Sequence, residues 1–430
     1  MTVATIIGVL LLFVLLLNAM PVAFALILSG AVGVYLVAGI QPMAGLLQNA
    51  PYEHVASYTL STIPMFILMA EFLTAGRFTR DLFTASNKWL GHFRGGVGFA
   101  AVAGGVMLSA ISGSSTAAAG TLAGSAFPEM RRLGYSDSFA TGALAVIGTL
   151  AIMIPPSIGL VLYGVFTETS VGALLVAGFV PGALTALGYI ITISVVVHLD
   201  PRNAPQAQPR LPLPDRVKGL LPVWPVLVLM AGMILGIYSG VITPTEVGAV
   251  GALAALVIGV GMGRMGFGAF SDALGRAARN SAMILLIIGF SAVFGVFLTM
   301  TGITQQIIVA VGEAQVPPFV VLMMVLVLLI VLGFFLDQLA ILVLTLPLIF
   351  PLLTNLGYDP VWMGVIFVKT AEIGLITPPM GLNAFVVSST TGVPVGRVFR
   401  GVWPFVLVEL ILLALLVSFP QITLWLPELI

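Results

Sequence analysis

Cysteine is absent from this 430-residue sequence, and charge is scarce. Without thiols there can be neither a disulfide framework nor a thiolate metal site, and cysteine usage says nothing about redox compartment. Asp, Glu, Lys and Arg together make up 7% of the residues, against about 25% in a typical soluble domain. So few charges cannot clothe a water-facing surface. The formal net charge is +0, which offers no basic face for nucleic acid. Histidine occurs three times, at His54, His92 and His198, with no metal-ligand spacing. A nucleophile with a partner base, a second intramembrane aspartate and an HExxH site are all missing, which excludes an intramembrane protease. No enzyme is indicated, and no organic cofactor.

What the sequence does have is apolar length. Hydrophobic residues are 60% of the chain and mean hydropathy is +1.18. Apolar runs of spanning length recur, for example around 6–17, 183–197 and 406–419. About 20 residues cross the hydrocarbon, so the chain has room for roughly a dozen crossings. The first run lacks the basic segment and cleavage site of a signal peptide and reads as a retained helix. The fold class is therefore an all-α polytopic membrane protein with the lipid bilayer as its solvent.

A shift of 223 residues aligns the sequence with itself. Pro21 falls on Pro244, Pro128 on Pro351, Leu133-Gly134-Tyr135 on Leu356-Gly357-Tyr358, Pro155-Pro156 on Pro378-Pro379, and Pro181 on Pro404. So many coincidences in one register indicate an internal repeat. Between the halves, Pro201, Pro205, Pro209, Pro212 and Pro214 deny residues 200–221 a continuous helix. The domain reading is a first repeat at 1–199, this Pro-rich linker, and a second repeat at 222–430.

Lysine and arginine collect in short cytoplasmic loops. One topology puts fifteen of the sixteen inside, in groups near Arg77, Arg131, the linker, Arg264 with Arg276 and Arg279, and Arg397, leaving Lys369 in a span. It makes the linker cytoplasmic and both termini periplasmic. Residues 95–132 then begin and end beside cytoplasmic clusters, so they enter the membrane and return. Their arms are only about 14 residues each, a length that suits a re-entrant hairpin. The tip is Ser112-Gly113-Ser114-Ser115-Thr116. Its equivalent, about 317–355, turns near Asp337 and is flanked by no basic residue, so it enters from the periplasm. The two repeats are expected to be inverted.

Irregular backbone at membrane depth is tolerated where it is buried or lines a cavity. Each half offers a hairpin tip and a broken helix, at about 136–166 and 361–390. Pro155-Pro156 leave the carbonyls of Ala151 and Ile152 without helical donors, and Pro378-Pro379 do the same for Gly374 and Leu375. Such carbonyls, with hydroxyl and carboxylate oxygens, suit a hard cation such as Na⁺, while a restarting half-helix suits an anion. A plain proline kink is the bland alternative, but two kinks at equivalent positions, each with a polar tip, favour a site. The cation candidates are Ser112, Gly113, Ser114, Ala151, Ile152, Pro155, Asp337, Gly374, Thr377 and Pro378. Ser114, Ser115, Ser157 and Asn383 are candidates for the substrate. Hydroxyls at 114–116 would also cap a helix, and Asp337 could be a cation ligand or a support for its tip. Lys369 and Glu372, at i and i+3, are expected to face each other. Glu71 and Glu409 are placed in scaffold spans. Arginine, the usual bidentate carboxylate ligand, is absent from every expected span.

These motifs resemble a known family, the large (DctM-like) membrane subunit of TRAP, or tripartite ATP-independent periplasmic, transporters. The matching residues are Ser112-Gly113-Ser114-Ser115-Thr116-Ala117, Leu133-Gly134-Tyr135, Pro155-Pro156-Ser157-Ile158-Gly159 and Ile376-Thr377-Pro378-Pro379-Met380-Gly381-Leu382-Asn383. The resemblance covers essentially the whole chain. It implies sodium-coupled uptake of an organic acid by an elevator-type transporter in the bacterial inner membrane. It also implies two partners: a small four-helix membrane subunit, here expected as a separate chain, and a periplasmic substrate-binding protein. A stand-alone dicarboxylate or anion permease of the same superfamily is the alternative.

Overall fold

Runs that are apolar on every side favour helices buried in protein or lipid, and helices are what form. In the computed structural model the described residues are 3–18 and 20–429, the side chains at 79, 110–112, 234, 238 and 244 aside. Among them there is no strand. Five helices are long and apolar enough to cross a membrane, and the bent pair Asp137–Met153 with Ile158–Thr167 makes a sixth. Shorter apolar helices, such as Val3–Leu17, Val22–Ala38 and Pro318–Gly333, accompany them. Hydrocarbon contains no water to satisfy backbone polar groups, so the chain satisfies them within helices.

Two helical hairpins organise the centre. The first pairs Gly96–Ser112 with Ser115–Arg132, and the second pairs Pro318–Gly333 with Gln338–Asn355. At the first tip Gly113 turns the chain at a φ of +55°, open to glycine for want of a Cβ. The Ser114 hydroxyl then accepts from the Ala117 N–H at 3.4 Å and caps the returning arm. At the second tip Asp337 accepts from the Ala340 N–H at 3.3 Å and caps its own. The hairpin exits also match. Gly134 and Gly357 both have positive φ, and Ser136 and Asp359 both cap the helix that follows.

Each hairpin leads into a helix that breaks. In the first half, Asp137–Ile147 and the single turn Leu150–Met153 stop at Ile154, and Ile158–Thr167 restarts at a bend of 42°. Ser157 caps the restart, accepting from the Leu160 N–H at 3.2 Å. In the second half Pro360–Ile376 stops before Pro378-Pro379, and Leu382–Thr391 restarts. Both Pro–Pro peptide bonds are cis.

Small residues let these elements approach closely. A Cβ on Gly401 would lie 1.8 Å from the Ser138 carbonyl oxygen, and one on Gly374 would lie 2.5 Å from Gly333 Cα. The first pair joins the helices Val395–Ser418 and Asp137–Ile147, and the second joins the broken helix to the second hairpin. Gly120, in the GxxxG run of the first hairpin, faces Val386. The linker is fastened down as well. Ser136 donates its hydroxyl to Asn203 Oδ1 at 2.8 Å, and Gln208 Nε2 donates to Glu129 Oε1 at 2.7 Å. The segment between the halves therefore clasps the outer end of the first hairpin.

Candidate functional site

The two tips open onto one cavity of about 620 Å³. Residues 113–117 of the first tip and 337–339 of the second line it, with Ile152 and Ile158 from either side of the first break. Leu375 and Val386 contribute from the second broken helix. The far wall is made by the helices Thr62–Ala75 and Phe267–Thr301. Its ionisable lining residues are Glu71, Arg276 and Asp337, a formal count of two acids to one base.

The sequence-based candidates separate into three groups. Gly113, Ser114, Ser115, Ile152 and Asp337 line the cavity. Ser115 is buried and Asp337 is open to the space. A second group stands just behind: Ala151 and Pro155 are buried at the first break, and Ser157 is fully buried as a helix cap. Behind the second tip, the Gly374 carbonyl accepts the Thr377 N–H at 3.2 Å, so it is not free as expected. The Thr377 hydroxyl is also engaged, donating to the Ile373 carbonyl at 2.5 Å. Pro378 is half-buried in the break. Third, the Ser112 side chain lies outside the described residues.

Asn383, grouped with Ser115 as a substrate candidate, reaches that residue: its Nδ2 donates to Ser115 Oγ at 2.6 Å and to the Ala145 carbonyl at 3.0 Å. The second break thus closes on the first tip, because Leu382–Thr391 packs along Ser115–Arg132. Reciprocally, the second tip meets the first broken helix, where a Cβ on Gly159 would lie 2.6 Å from Gln338 Nε2. Asn383 Oδ1 is buried with no hydrogen-bond partner among the described residues. A buried acceptor without a donor is costly, and a cation would satisfy it. Neutral oxygens of this kind fit Na⁺, a hard ion with no demand for thiolate or imidazole.

Three charged residues have long-range partners that the sequence does not reveal. Lys369 does pair with Glu372, as expected, Nζ to Oε2 at 3.5 Å, and it also pairs, more closely, with Glu409 Oε2 at 2.6 Å. Thr185 accepts from the same ammonium at 3.0 Å, and Tyr189 donates to Glu409. All of these groups are buried, so Glu409 ties Val395–Ser418 to Pro360–Ile376. Glu71, expected in a scaffold span, and Arg276, counted among the basic residues of a cytoplasmic group, form an ion pair, Arg276 Nε to Glu71 Oε2 at 2.7 Å, on the cavity wall. Asn280 Nδ2 donates to Glu71 Oε1 at 3.3 Å. Arg276 lies in the polar first part of the 35-residue helix Phe267–Thr301, with Asp272, Arg279 and Asn280, ahead of its apolar stretch. The available signal was the i, i+4 spacing of Arg276 and Asn280, which puts both on one helical face.

The architecture defines a class before it defines a family. Helical hairpins and broken helices around a shared cavity make this a multi-pass transporter fold. In keeping with that, the structure resembles that of the Alcanivorax borkumensis YdaH transporter with a TM-score of 0.64, at 16% identity, over 89% of this chain and 90% of that one. Within the class the chain belongs to the family "Tripartite ATP-independent periplasmic transporter, DctM component", whose model matches residues 9–422. It is 37% identical, over 88% of each chain, to the C4-dicarboxylate TRAP transporter large permease protein DctM of Pseudomonas aeruginosa. It is 32% identical, over 96% of each, to the sialic acid TRAP transporter large permease protein SiaM of Vibrio cholerae.

Proposed function

We propose that this chain is the large membrane subunit of a sodium-coupled TRAP transporter that takes an organic acid into a bacterial cell across the inner membrane. The observation that carries this reading is the single cavity lined by both hairpin tips. An anion entering a space lined by two acids and one base is favoured by accompanying cations. Asn383 Oδ1 and Ser115 Oγ would hold one Na⁺ behind the first tip, and Asp337 would hold another at the second. Their side-chain oxygens and local backbone carbonyls supply the hard donors such an ion takes. The two halves are inverted repeats that enter the membrane from opposite sides, with a cytoplasmic linker and both termini periplasmic. Hairpins and broken helices move together as an elevator against the wall formed by Thr62–Ala75 and Phe267–Thr301.

The partners are a separate small membrane subunit and a periplasmic substrate-binding protein. Relatives in the family carry names as different as C4-dicarboxylate and sialic acid permease. One permease architecture serving such different acids is consistent with selectivity residing largely in the binding protein. The test is reconstitution of this chain with its small subunit into liposomes, with sodium outside. Uptake of the cognate acid is expected only after the loaded binding protein is added. Robust sodium-driven uptake by the chain alone, at micromolar substrate, would overturn the tripartite reading and favour a stand-alone permease.

A further inference from the structure

An arginine on a membrane-crossing helix is expensive unless it is paired or faces a polar space. Arg276 does both, and it does so with only part of its hydrogen-bonding capacity. Its Nε is bound to Glu71 at 2.7 Å, while its side chain is 41% exposed on the cavity wall. Among the described residues, Nη1 and Nη2 have no hydrogen-bond partner. Guanidinium offers five donors in a planar fork, and its two Nη groups match the two oxygens of a carboxylate. Glu71 holds the fork from one edge and leaves the other edge free. Asn280, one turn further along, holds the second oxygen of Glu71, so that carboxylate is fixed in place.

A second, independent donor lines the same cavity. Gln338, beside Asp337 on the second hairpin, is 3% exposed, and its Nε2 packs against Gly159 of the first broken helix with no hydrogen-bond partner among the described residues. A buried amide N–H without an acceptor costs stability unless something occupies the space before it. An anionic oxygen would satisfy it once the second tip shifts off Gly159.

We propose that Arg276 and Gln338 form the carboxylate-recognition element of the cavity, with the Nη edge of Arg276 taking the transported acid's carboxylate as a bidentate pair. This rests on the reading of the chain as an organic-acid permease. Glu71 acts as the positioning residue, holding Arg276 by Nε so that its fork is presented to the cavity. Arg276 belongs to the wall and Gln338 to a hairpin, so a bound carboxylate bridges the two bodies that the elevator reading sets in relative motion.

The test uses the complete transporter in proteoliposomes, with binding protein and small subunit, first screened against succinate, acetate, lactate, N-acetylneuraminate and uncharged succinamide. If the wild type carries none of the acids, or carries succinamide equally well, the organic-acid reading itself fails. With a transported acid in hand, Arg276→Gln is expected to raise its half-saturation concentration about 30-fold, the scale of a lost charged hydrogen bond. Arg276→Lys should recover only part of this, since ammonium is a point donor. Gln338→Leu should raise the half-saturation concentration about fivefold, the scale of a neutral hydrogen bond. The exchange Glu71→Arg with Arg276→Glu separates recognition from structure, because a purely structural ion pair would be restored by it. Restored transport in the exchange variant, or wild-type half-saturation in folded Arg276→Gln, would overturn the proposal. Thermal unfolding identifies which variants fold. Should Arg276→Gln not fold, Arg276→Lys and Gln338→Leu decide, and unchanged half-saturation in both overturns it.

Discussion

The two hairpin tips share a geometry and differ in charge. Ser114 and Asp337 stand at equivalent positions, each in extended backbone, and each caps the returning arm through a side-chain oxygen at nearly the same distance. The first tip is a cluster of hydroxyls closed from behind by the Asn383 amide. The second places a carboxylate open to the cavity beside an unpartnered glutamine amide. One capping solution therefore serves two electrostatic roles. A neutral tip would hold a cation through dipoles alone and would depend on their number and placement. A charged tip depends less on placement and more on its one ionised group.

That contrast can be broken by substitution. The largest effect is expected at Asn383, which ties the second break to the first tip and supplies the unpartnered oxygen. Asn383→Ala should lower sodium-dependent uptake at least about 30-fold, since it strands the Ser115 hydroxyl and removes a cation donor. Initial uptake rates across a sodium series measure this, and a rate within twofold of wild type would remove Asn383 from the site. Asp337→Asn comes next. Asparagine caps a helix as well as aspartate, so folding is expected to hold while the sodium half-saturation rises about tenfold, roughly 1.4 kcal/mol. An unchanged sodium curve would make Asp337 a structural cap only. Ser114→Ala should have the smallest effect, about 1 kcal/mol of stability for a lost cap, read by thermal unfolding. Ser114→Asp should restore that stability and give the first tip the charge of the second. If it does not, the two tips are not equivalent caps.

How much of this could be read from the sequence follows from the range of each interaction. The helical membrane class was legible because apolar composition acts on every segment. The double prolines at 155–156 and 378–379 and the polar run at 112–116 mark their own breaks, since backbone chemistry is local. Long-range partners were not legible. Asn383 is 268 positions from Ser115, and Lys369 is 40 positions from Glu409 rather than facing only its neighbour Glu372. Arg276 was hidden differently. Counting positive residues grouped it with Arg264 and Arg279, whereas helical phase turns Arg276 and Asn280 toward Glu71 and the cavity. Charge counting sorts loops but does not resolve a helix that carries its first turns past the interface.

Binding of the coupling ion at both tips can be tested directly, without knowledge of the substrate. A ligand that binds only the folded chain raises its unfolding temperature in proportion to the logarithm of its concentration once above its dissociation constant. Purified wild-type protein with its small subunit should therefore unfold at higher temperature in sodium chloride than in potassium or choline chloride of equal ionic strength. Asn383→Ala and Asp337→Asn should each lose part of that difference, and the double variant nearly all of it. An equal rise in all three salts, or the full sodium-specific rise retained in the double variant, would contradict the account.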